Sequence, residues 1–159
     1  MESGLEQDIS AFWSILFSIL GDVEKRLAAH MAAHDLTPPQ FFVLKTLIEH
    51  GGSCPIGEIA RDHHLTSATM TGLVKRLEAM DPPLVVRQRS RDDARSVNVV
   101  LTDEGQTRFD AIKDTVFDQL QLILSLISEE ERQALLHFLA RYLELVAQVF
   151  PMTASAAER

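Results

Sequence analysis

Cysteine is nearly absent from this sequence, since Cys54 is the single example among 159 residues. One cysteine cannot form an internal disulfide or a cysteine-rich zinc framework, so we expect a reducing, cytoplasmic setting. Long hydrophobic runs are missing too: the most apolar stretch, residues 11–20, is too short to span a bilayer and follows acidic rather than basic residues. We therefore expect no membrane span, no signal peptide and no membrane partner.

Basic residues are outnumbered, with 15 Lys and Arg against 23 Asp and Glu and a net charge of −8. A chain this acidic is not expected to coat nucleic acid indiscriminately. The charge is unevenly distributed, however, because residues 55–101 carry seven basic and six acidic side chains, whereas residues 1–54 and 102–159 have net charges of −4 and −5. Any contact with a polyanion should therefore involve the middle of the chain.

Helical periodicity dominates both ends of the chain. Apolar residues at steps of three and four predict a first helix over about 8–33, and capping signals predict further helices over about 38–51, 102–127 and 128–149. We expect the last two helices to bury Ile112, Val116, Leu120, Ile123, Leu135, Leu139, Tyr142, Leu143 and Val146. Further apolar residues extend beyond a single stripe, so we predict a dimer in which these end helices find a partner surface. They are Trp13, Phe17, Leu124, Phe138, Leu145, Val149 and Phe150.

The middle of the chain changes its pattern twice. A short helix opened by Pro55 and a second helix capped by Thr66 are joined by a tight turn, which is typical of a helix-turn-helix. Residues 84–89 and 96–101 then alternate and are rich in β-branched side chains, which predicts a hairpin with a charged tip. We therefore predict a mainly α fold: a winged helix-turn-helix with a two-stranded wing, flanked by long N- and C-terminal dimerisation helices.

The second helix of this motif is the element shaped to enter a major groove. We predict that it buries Met70, Leu73, Val74 and Leu77 and presents to DNA the opposite face, formed by Ser67, Thr69, Thr71, Lys75 and Arg76. On the hairpin, Arg89, Arg91 and Arg95 are placed to reach a narrow minor groove, and Asp93 to hold Arg95 extended. The alternatives are an ordinary solvated helix face and a hairpin tip whose charges serve solubility.

Residues 66–105 resemble the MarR family of winged-helix transcriptional regulators. The most specific element is Asp93-Ala94-Arg95 followed by Val99, Leu101, Thr102 and Gly105, which is similar to the wing motif of that family. The resemblance in layout extends over about 8–149. Two departures are present: Gly72 stands where many members have a larger polar or basic residue, and Asp81-Pro82-Pro83 replaces a glycine-containing turn.

The resemblance implies a homodimer that binds double-stranded DNA. Residues 37–105 would form the DNA-binding domain, residues 1–36 and 106–159 the dimerisation region, and Arg95 and Asp93 the minor-groove arginine and its supporting acid. A twofold dimer would read a palindrome with half-sites about 34 Å apart. The resemblance further implies repression released by a small aromatic or phenolic effector, with Trp13, Phe17, His34, Phe41 and Arg108 as candidate cleft residues.

Other functions are less well supported by the residues. We find no phosphate loop, nucleophile elbow or isolated carboxylate pair, so we expect neither an enzyme nor a cofactor. His30 and His34 are four apart, but no third ligand completes a metal site with them, and we expect none. A metal-responsive switch built on these two histidines, or a winged-helix module that binds protein instead of DNA, remains the alternative. Cys54 is expected to be a small buried residue or a helix cap.

Overall fold

The structure, a computed structural model, describes residues 2–90 and 95–151, with side chains from residue 4 onward. Its elements in chain order are α1 (Glu2–Ala32), α2 (Pro38–Glu49), β1 (Ser53–Pro55), α3 (Ile56–Asp62), α4 (Ser67–Glu78), β2 (Val85–Arg89), β3 (Val97–Leu101), α5 (Asp103–Ser125) and α6 (Glu129–Val149). The chain divides into two compact units, Met1–Val116 and Phe117–Arg159. Among the described helices, none is long and apolar enough to cross a membrane.

Side-chain caps begin the helices where the sequence predicts them. The hydroxyl oxygens of Thr66, Thr102 and Ser128 each accept a hydrogen bond from the backbone N–H three residues later, at 3.2, 3.0 and 3.2 Å. The Glu131 carboxylate accepts from the Ser128 backbone N–H at 2.8 Å, which completes the predicted capping box and holds the pKa of Glu131 below its ordinary value. These boundaries are therefore encoded locally.

The core of the first unit lies between the helix-turn-helix and the sheet. The four predicted inward residues of α4 are all buried, and they pack with side chains of α2, α3, β2, β3 and α5. The largest completely buried side chains are Met31, Leu44, Leu47, Ile59, Met70, Leu77, Leu84 and Ile112. A second link joins α2 to the end of α3, because Thr46 Oγ1 and His63 Nε2 are 2.8 Å apart. The end of α3 is therefore joined to α2 by this polar contact as well as by the apolar core.

The wing is confirmed, but the sheet has three strands rather than two. β2 and β3 pair antiparallel with Val85 opposite Leu101 and Arg89 opposite Val97, and β1 pairs with the other side of β3, with Cys54 opposite Val99. The sequence analysis missed β1 because three residues, Ser53-Cys54-Pro55, carry no periodic signal. Pro55 lacks a backbone N–H, which restricts such a strand to the edge of a sheet.

The predicted burial of the last two helices is confirmed for Ile112 but wrong for most of the other residues, of which Val116, Tyr142 and Val146 are half-buried. α6, all of whose side chains are described, has no buried residue, and in α5 only Gly105 and Ile112 are buried. Leu120, Ile123, Leu135, Leu139 and Leu143 are all exposed, from 42% to 66%. Residues of α1 behave similarly, since Trp13 is 63% exposed while Met31 at the far end of the helix is buried. These helices carry apolar side chains at helical spacing, and among residues 4–90 and 95–151, whose side chains the structure describes, many of those apolar side chains are exposed.

Candidate nucleic-acid interface

One face of α4 is polar and open to solvent. Ser67, Thr69, Lys75 and Arg76 are exposed and Thr71 is half-buried, on the side opposite the buried stripe. The hydroxyl oxygens of Thr66 and Thr69 are 2.9 Å apart, and Thr66 also caps the helix. Thr69 is therefore partly engaged in the helix start, whereas Ser67 is exposed in the first turn of α4, where anions are favoured.

An ion pair joins the wing to the recognition helix. The Glu78 carboxylate at the end of α4 accepts hydrogen bonds from Arg87 of β2: from the backbone N–H at 3.2 Å and from Nε at 2.8 Å, with Nη2 also at 2.8 Å. Both guanidinium nitrogens approach one oxygen of Glu78, Oε2, while the backbone N–H donates to the other oxygen, Oε1. The sequence analysis counted both residues as charges without pairing them, because they lie in different elements nine residues apart. The pair joins the start of the wing to the end of α4. Arg87 is therefore one basic residue of the segment 55–101 that is already neutralised by a carboxylate.

Four other cations of α4 and the wing are accessible to solvent. Lys75, Arg76, Arg89 and Arg95 are all exposed. Within the described part of the chain, Lys75, Arg76 and Arg89 form no ion pair. Arg91 and Asp93, the other two wing residues of the prediction, lie outside the described residues. The unit that holds α4 and the wing therefore offers exposed cations on both of these elements.

The wing ends in a closely packed junction with α5. The Thr102 hydroxyl donates to the Pro83 carbonyl oxygen at 2.7 Å and accepts from the Gly105 N–H, while the Thr102 N–H donates to the Leu84 carbonyl at 3.1 Å. A Cβ on Gly105 would lie 2.2 Å from the Leu84 carbonyl oxygen. This contact is a physical reason for the threonine and the glycine of the predicted wing motif.

The proposed effector residues fall into two groups. The guanidinium of Arg108 donates to Glu104 Oε1 at 2.9 Å and to the His34 carbonyl oxygen at 3.4 Å, so Arg108 and His34 lie together. Phe41 is buried, and its ring stacks on Phe109 at 4.8 Å between centroids.

The second group lies on α1. The rings of Trp13 and Phe17 contact each other at 4.3 Å between centroids, and both side chains are exposed. These two residues therefore belong to the uncovered face of α1.

Cys54 is buried, as predicted. Burial raises the pKa of its thiol to about 11, with the nearby Glu58 carboxylate acting in the same direction. The thiolate, which is the reactive form, is therefore disfavoured at neutral pH. His30 and His34 belong to no group of three metal-ligating side chains among the described residues; the group found there is His50, Cys54 and Glu58.

Comparison with known proteins identifies relatives of this chain. The sequence model of the MarR family matches residues 36–97. The chain is 39% identical over 123 residues to the HTH-type transcriptional regulator TtmR of Methylorubrum extorquens, a match that covers 76% of this chain and 57% of TtmR. It is 30% identical over 128 residues to the regulator SarZ of Staphylococcus haemolyticus, covering 79% of this chain and 82% of SarZ. It is 29% identical over 137 residues to the repressor MdtR of Bacillus subtilis, covering 86% and 84%.

Solved structures agree. A MarR family protein from Bacillus stearothermophilus superimposes with a TM-score of 0.78 at 25% identity, over 89% of this chain and 97% of the other. A mutant of Staphylococcus aureus MepR bound to an oligodeoxyribonucleotide superimposes with a TM-score of 0.63 at 25% identity, over 84% and 97%. The relatives named above are transcriptional regulators and not enzymes, in agreement with the prediction that this chain is not an enzyme. The chain belongs to the MarR family of winged helix-turn-helix transcriptional regulators.

Proposed function

We propose that this chain is a homodimeric repressor that binds a palindromic operator and is released by a small aromatic or phenolic molecule. The observation that carries the proposal is the group of exposed cations Lys75, Arg76 and Arg89 on α4 and the wing of a chain with net charge −8, none of which forms an ion pair with another described residue. In this proposal residues 37–105 bind DNA, and residues 1–36 and 106–159 form the dimer. The name of the relative MdtR supports repression.

Major-groove binding is assigned to α4. A 12-residue helix with a buried apolar stripe and a polar opposite face fits the groove, which accepts one α-helix. Ser67, Thr69 and Thr71 lie toward the N-terminal half of the helix, where base contacts are usually made. Lys75 and Arg76, one to two turns further along, are assigned to phosphates, which set affinity rather than sequence preference.

Minor-groove binding is assigned to the wing arginines Arg89, Arg91 and Arg95, with Asp93 supporting Arg95. The described part of this assignment is that β2 and β3 form a two-stranded ribbon, and that Arg89, the last residue of β2, and Arg95, two residues before β3, are both exposed. An arginine inserted into a narrow, A·T-rich minor groove is attracted by its enhanced negative potential.

Dimer formation is assigned to the uncovered apolar faces of α1, α5 and α6. Each of these helices exposes several large apolar side chains, and exposed apolar side chains in such numbers on one helix mark an interface. The acidic ends of the chain then carry no phosphate contacts, which agrees with their net charge.

The effector is assigned to the surroundings of Arg108 and His34. Arg108 is mostly buried, with 18% of its side chain exposed, and a guanidinium in such a place can bind a carboxylate or phenolate. Trp13, Phe17 and Phe41 supply the aromatic surface in this proposal.

The test begins with in vitro selection of duplexes bound by the purified protein. On the selected operator, Arg95→Ala should weaken binding by about 1–3 kcal/mol, more than Lys75→Ala does at the same salt concentration. Lys45→Ala is the matched control, because Lys45 lies on α2 and pairs with Glu49, and it should leave the affinity unchanged. Binding should fall with salt by about 0.9 logarithmic units per neutralised phosphate and per tenfold change in salt concentration.

Two results would contradict this proposal. Equal affinity of the wild type and Arg95→Ala would remove the wing from the interface. Failure of the protein to be retained on random duplex DNA at low salt would favour the protein-binding alternative.

A further inference from the structure

Three potential metal ligands meet where α2, β1 and α3 join. His50 is the C-terminal cap of α2, Cys54 lies in β1 and Glu58 lies in α3, and their ligand atoms are all within 4.8 Å of one another. No part of the proposed DNA or effector binding uses these side chains. We propose that His50, Cys54 and Glu58 bind Zn²⁺, or a divalent transition-metal ion of similar ligand preference.

The spacing of the ligand atoms already suits zinc. Cys54 Sγ lies 3.6 Å from Glu58 Oε2. Bonds of about 2.3 Å from zinc to sulfur and about 2.0–2.2 Å to oxygen, at a tetrahedral angle, place the two ligand atoms about 3.5 Å apart. The thiol and the carboxylate therefore occupy one edge of the required tetrahedron without moving.

The types of ligand point to the same class of metal. One sulfur, one imidazole nitrogen and one carboxylate oxygen form a mixed set that zinc accepts, whereas Mg²⁺ and Ca²⁺ prefer oxygen alone. Three protein ligands leave a fourth position for water, as in zinc sites that keep an open position. His50 and Glu58 are partly exposed at the rim, with 38% and 44% of their side chains accessible, so an ion can enter from solvent.

A neighbouring carboxylate lies close to the histidine. Asp62 Oδ2 lies 3.3 Å from His50 Nε2. A metal-binding histidine commonly donates its other ring N–H to such a carboxylate, which fixes the ring and raises its basicity. Arg61 approaches the other oxygen of Glu58, Oε1, at 4.0 Å, so Oε2 is the oxygen that faces the thiol.

The surrounding charge favours a cation. Two carboxylates lie at the cluster, because Glu58 Oε2 is 3.6 Å from Cys54 Sγ and Asp62 Oδ2 is 3.3 Å from His50 Nε2. A divalent cation between these side chains would be attracted by both carboxylates.

The backbone holds the cluster in place before any ion arrives. Gly51 and Gly52 follow His50 with φ values of 73° and 95°, which few other residues adopt, and they turn the chain sharply into β1. The Gly52 N–H donates to the Leu47 carbonyl at 2.7 Å, and its carbonyl accepts from the Leu101 N–H at 2.8 Å. An ion at this site would therefore join the end of α2 to α3, the first helix of the DNA-binding motif.

The test uses the full-length protein stripped of metal and titrated with Zn²⁺ and with Co²⁺. We expect one ion per chain, and with Co²⁺ the near-ultraviolet charge-transfer band of a thiolate ligand. Cys54→Ser should lose that band and bind Zn²⁺ at least tenfold more weakly, and Asp62→Asn should bind it about 10–100-fold more weakly. His137→Ala is the matched control, because it removes an exposed histidine of α6 outside the cluster, and it should bind Zn²⁺ as the wild type does.

The proposal is overturned if Co²⁺ produces no thiolate band, or if Cys54→Ser binds Zn²⁺ as tightly as the wild type. Loss of zinc in His137→Ala with retention in His50→Gln would place the metal elsewhere and equally overturn it. If Cys54→Ser does not fold, as judged by circular dichroism, the exposed-rim variants His50→Gln and Glu58→Gln replace it, and unchanged zinc affinity in both would be the contradicting result.

Discussion

The middle and the ends of this chain use the same kind of side chain in opposite ways. Between Leu36 and Ile112 most of the large apolar residues are buried by the chain itself, around a core that α4 and the sheet share. In α6 the apolar residues are as regular, yet every one of them is accessible. Helical periodicity therefore reports which face is to be covered, and only the structure reports whether the chain supplies the cover.

The largest effect should come from charging the uncovered face of α6. The double variant Leu139→Glu and Leu143→Glu removes two leucines per protomer, and burial of four leucines in a dimer stabilises it by roughly 6 kcal/mol or more. We expect the dimer dissociation constant to rise by about four orders of magnitude or more, with a monomer in analytical ultracentrifugation and loss of operator binding.

A polar residue of the same helix provides the control for this prediction. Gln133→Glu adds charge to an exposed position of α6 and should leave the dimer intact. If the double leucine variant sediments as the wild type does, the exposed apolar face of α6 is not the dimer interface, and the contrast between the two regions loses its explanation.

A smaller effect is expected inside the closely packed middle. Gly105→Ala places a Cβ within 2.2 Å of the Leu84 carbonyl oxygen and 2.8 Å of Leu101 Cδ1, so backbone must shift. We expect the free energy of unfolding to fall by about 1–3 kcal/mol, as overpacking usually costs. Chemical denaturation measures it, and wild-type stability would show that the junction of wing and α5 is looser than the structure has it.

The helix caps allow a matched comparison of the two regions. Thr66→Ala and Ser128→Ala each remove one hydroxyl acceptor, and each should lower stability by about 1 kcal/mol. The loss in Thr66→Ala should not depend on protein concentration, because α4 packs on its own chain. The loss in Ser128→Ala should depend on it, because the proposal couples α6 to a second copy. Thermal melts at several concentrations test this, and identical concentration dependence would contradict it.

The smallest effect, and the one of opposite sign, is expected at Gly72. A Cβ there would meet no atom within 4 Å, so Gly72→Ala adds helix propensity without a clash. We expect the free energy of unfolding to rise by about 0.5–1 kcal/mol. Denaturation beside Gly105→Ala separates an open glycine from a required one, and a destabilised Gly72→Ala would show that α4 is packed more closely on that side.

Sequence reasoning succeeded where the signal is local. The caps at Thr66, Thr102 and Ser128, the buried stripe of α4 and the pairing of β2 with β3 all follow from neighbouring residues. It failed for β1, whose strand character depends on β3 some forty-five residues later. It failed again for the burial of α5 and α6 beyond Ile112. Helical periodicity identifies an apolar face but not the surface that covers it.

The sites show the same division. A polar face on α4 could be listed from spacing alone, but the pairing of Glu78 with Arg87 could not, because it depends on how β2 approaches the end of α4. His50, Cys54 and Glu58 occur at regular steps of four in the sequence, yet they belong to three different elements. The turn at Gly51 and Gly52 brings them together, and the sequence analysis made no prediction about this cluster.

Thr102 gives the wing its mechanical character. Thr102 is the single residue between β3 and α5, and it is hydrogen-bonded to Pro83, Leu84 and Gly105. A rotation of the start of α5 should therefore be passed directly to β3, because no flexible loop separates them. With five residues in each strand the ribbon extends about 17 Å, so a 10° tilt at its root moves the far end by about 3 Å, the length of a hydrogen bond. A small change in the direction of the start of α5 would therefore move Arg89, at the far end of the ribbon, by several ångströms.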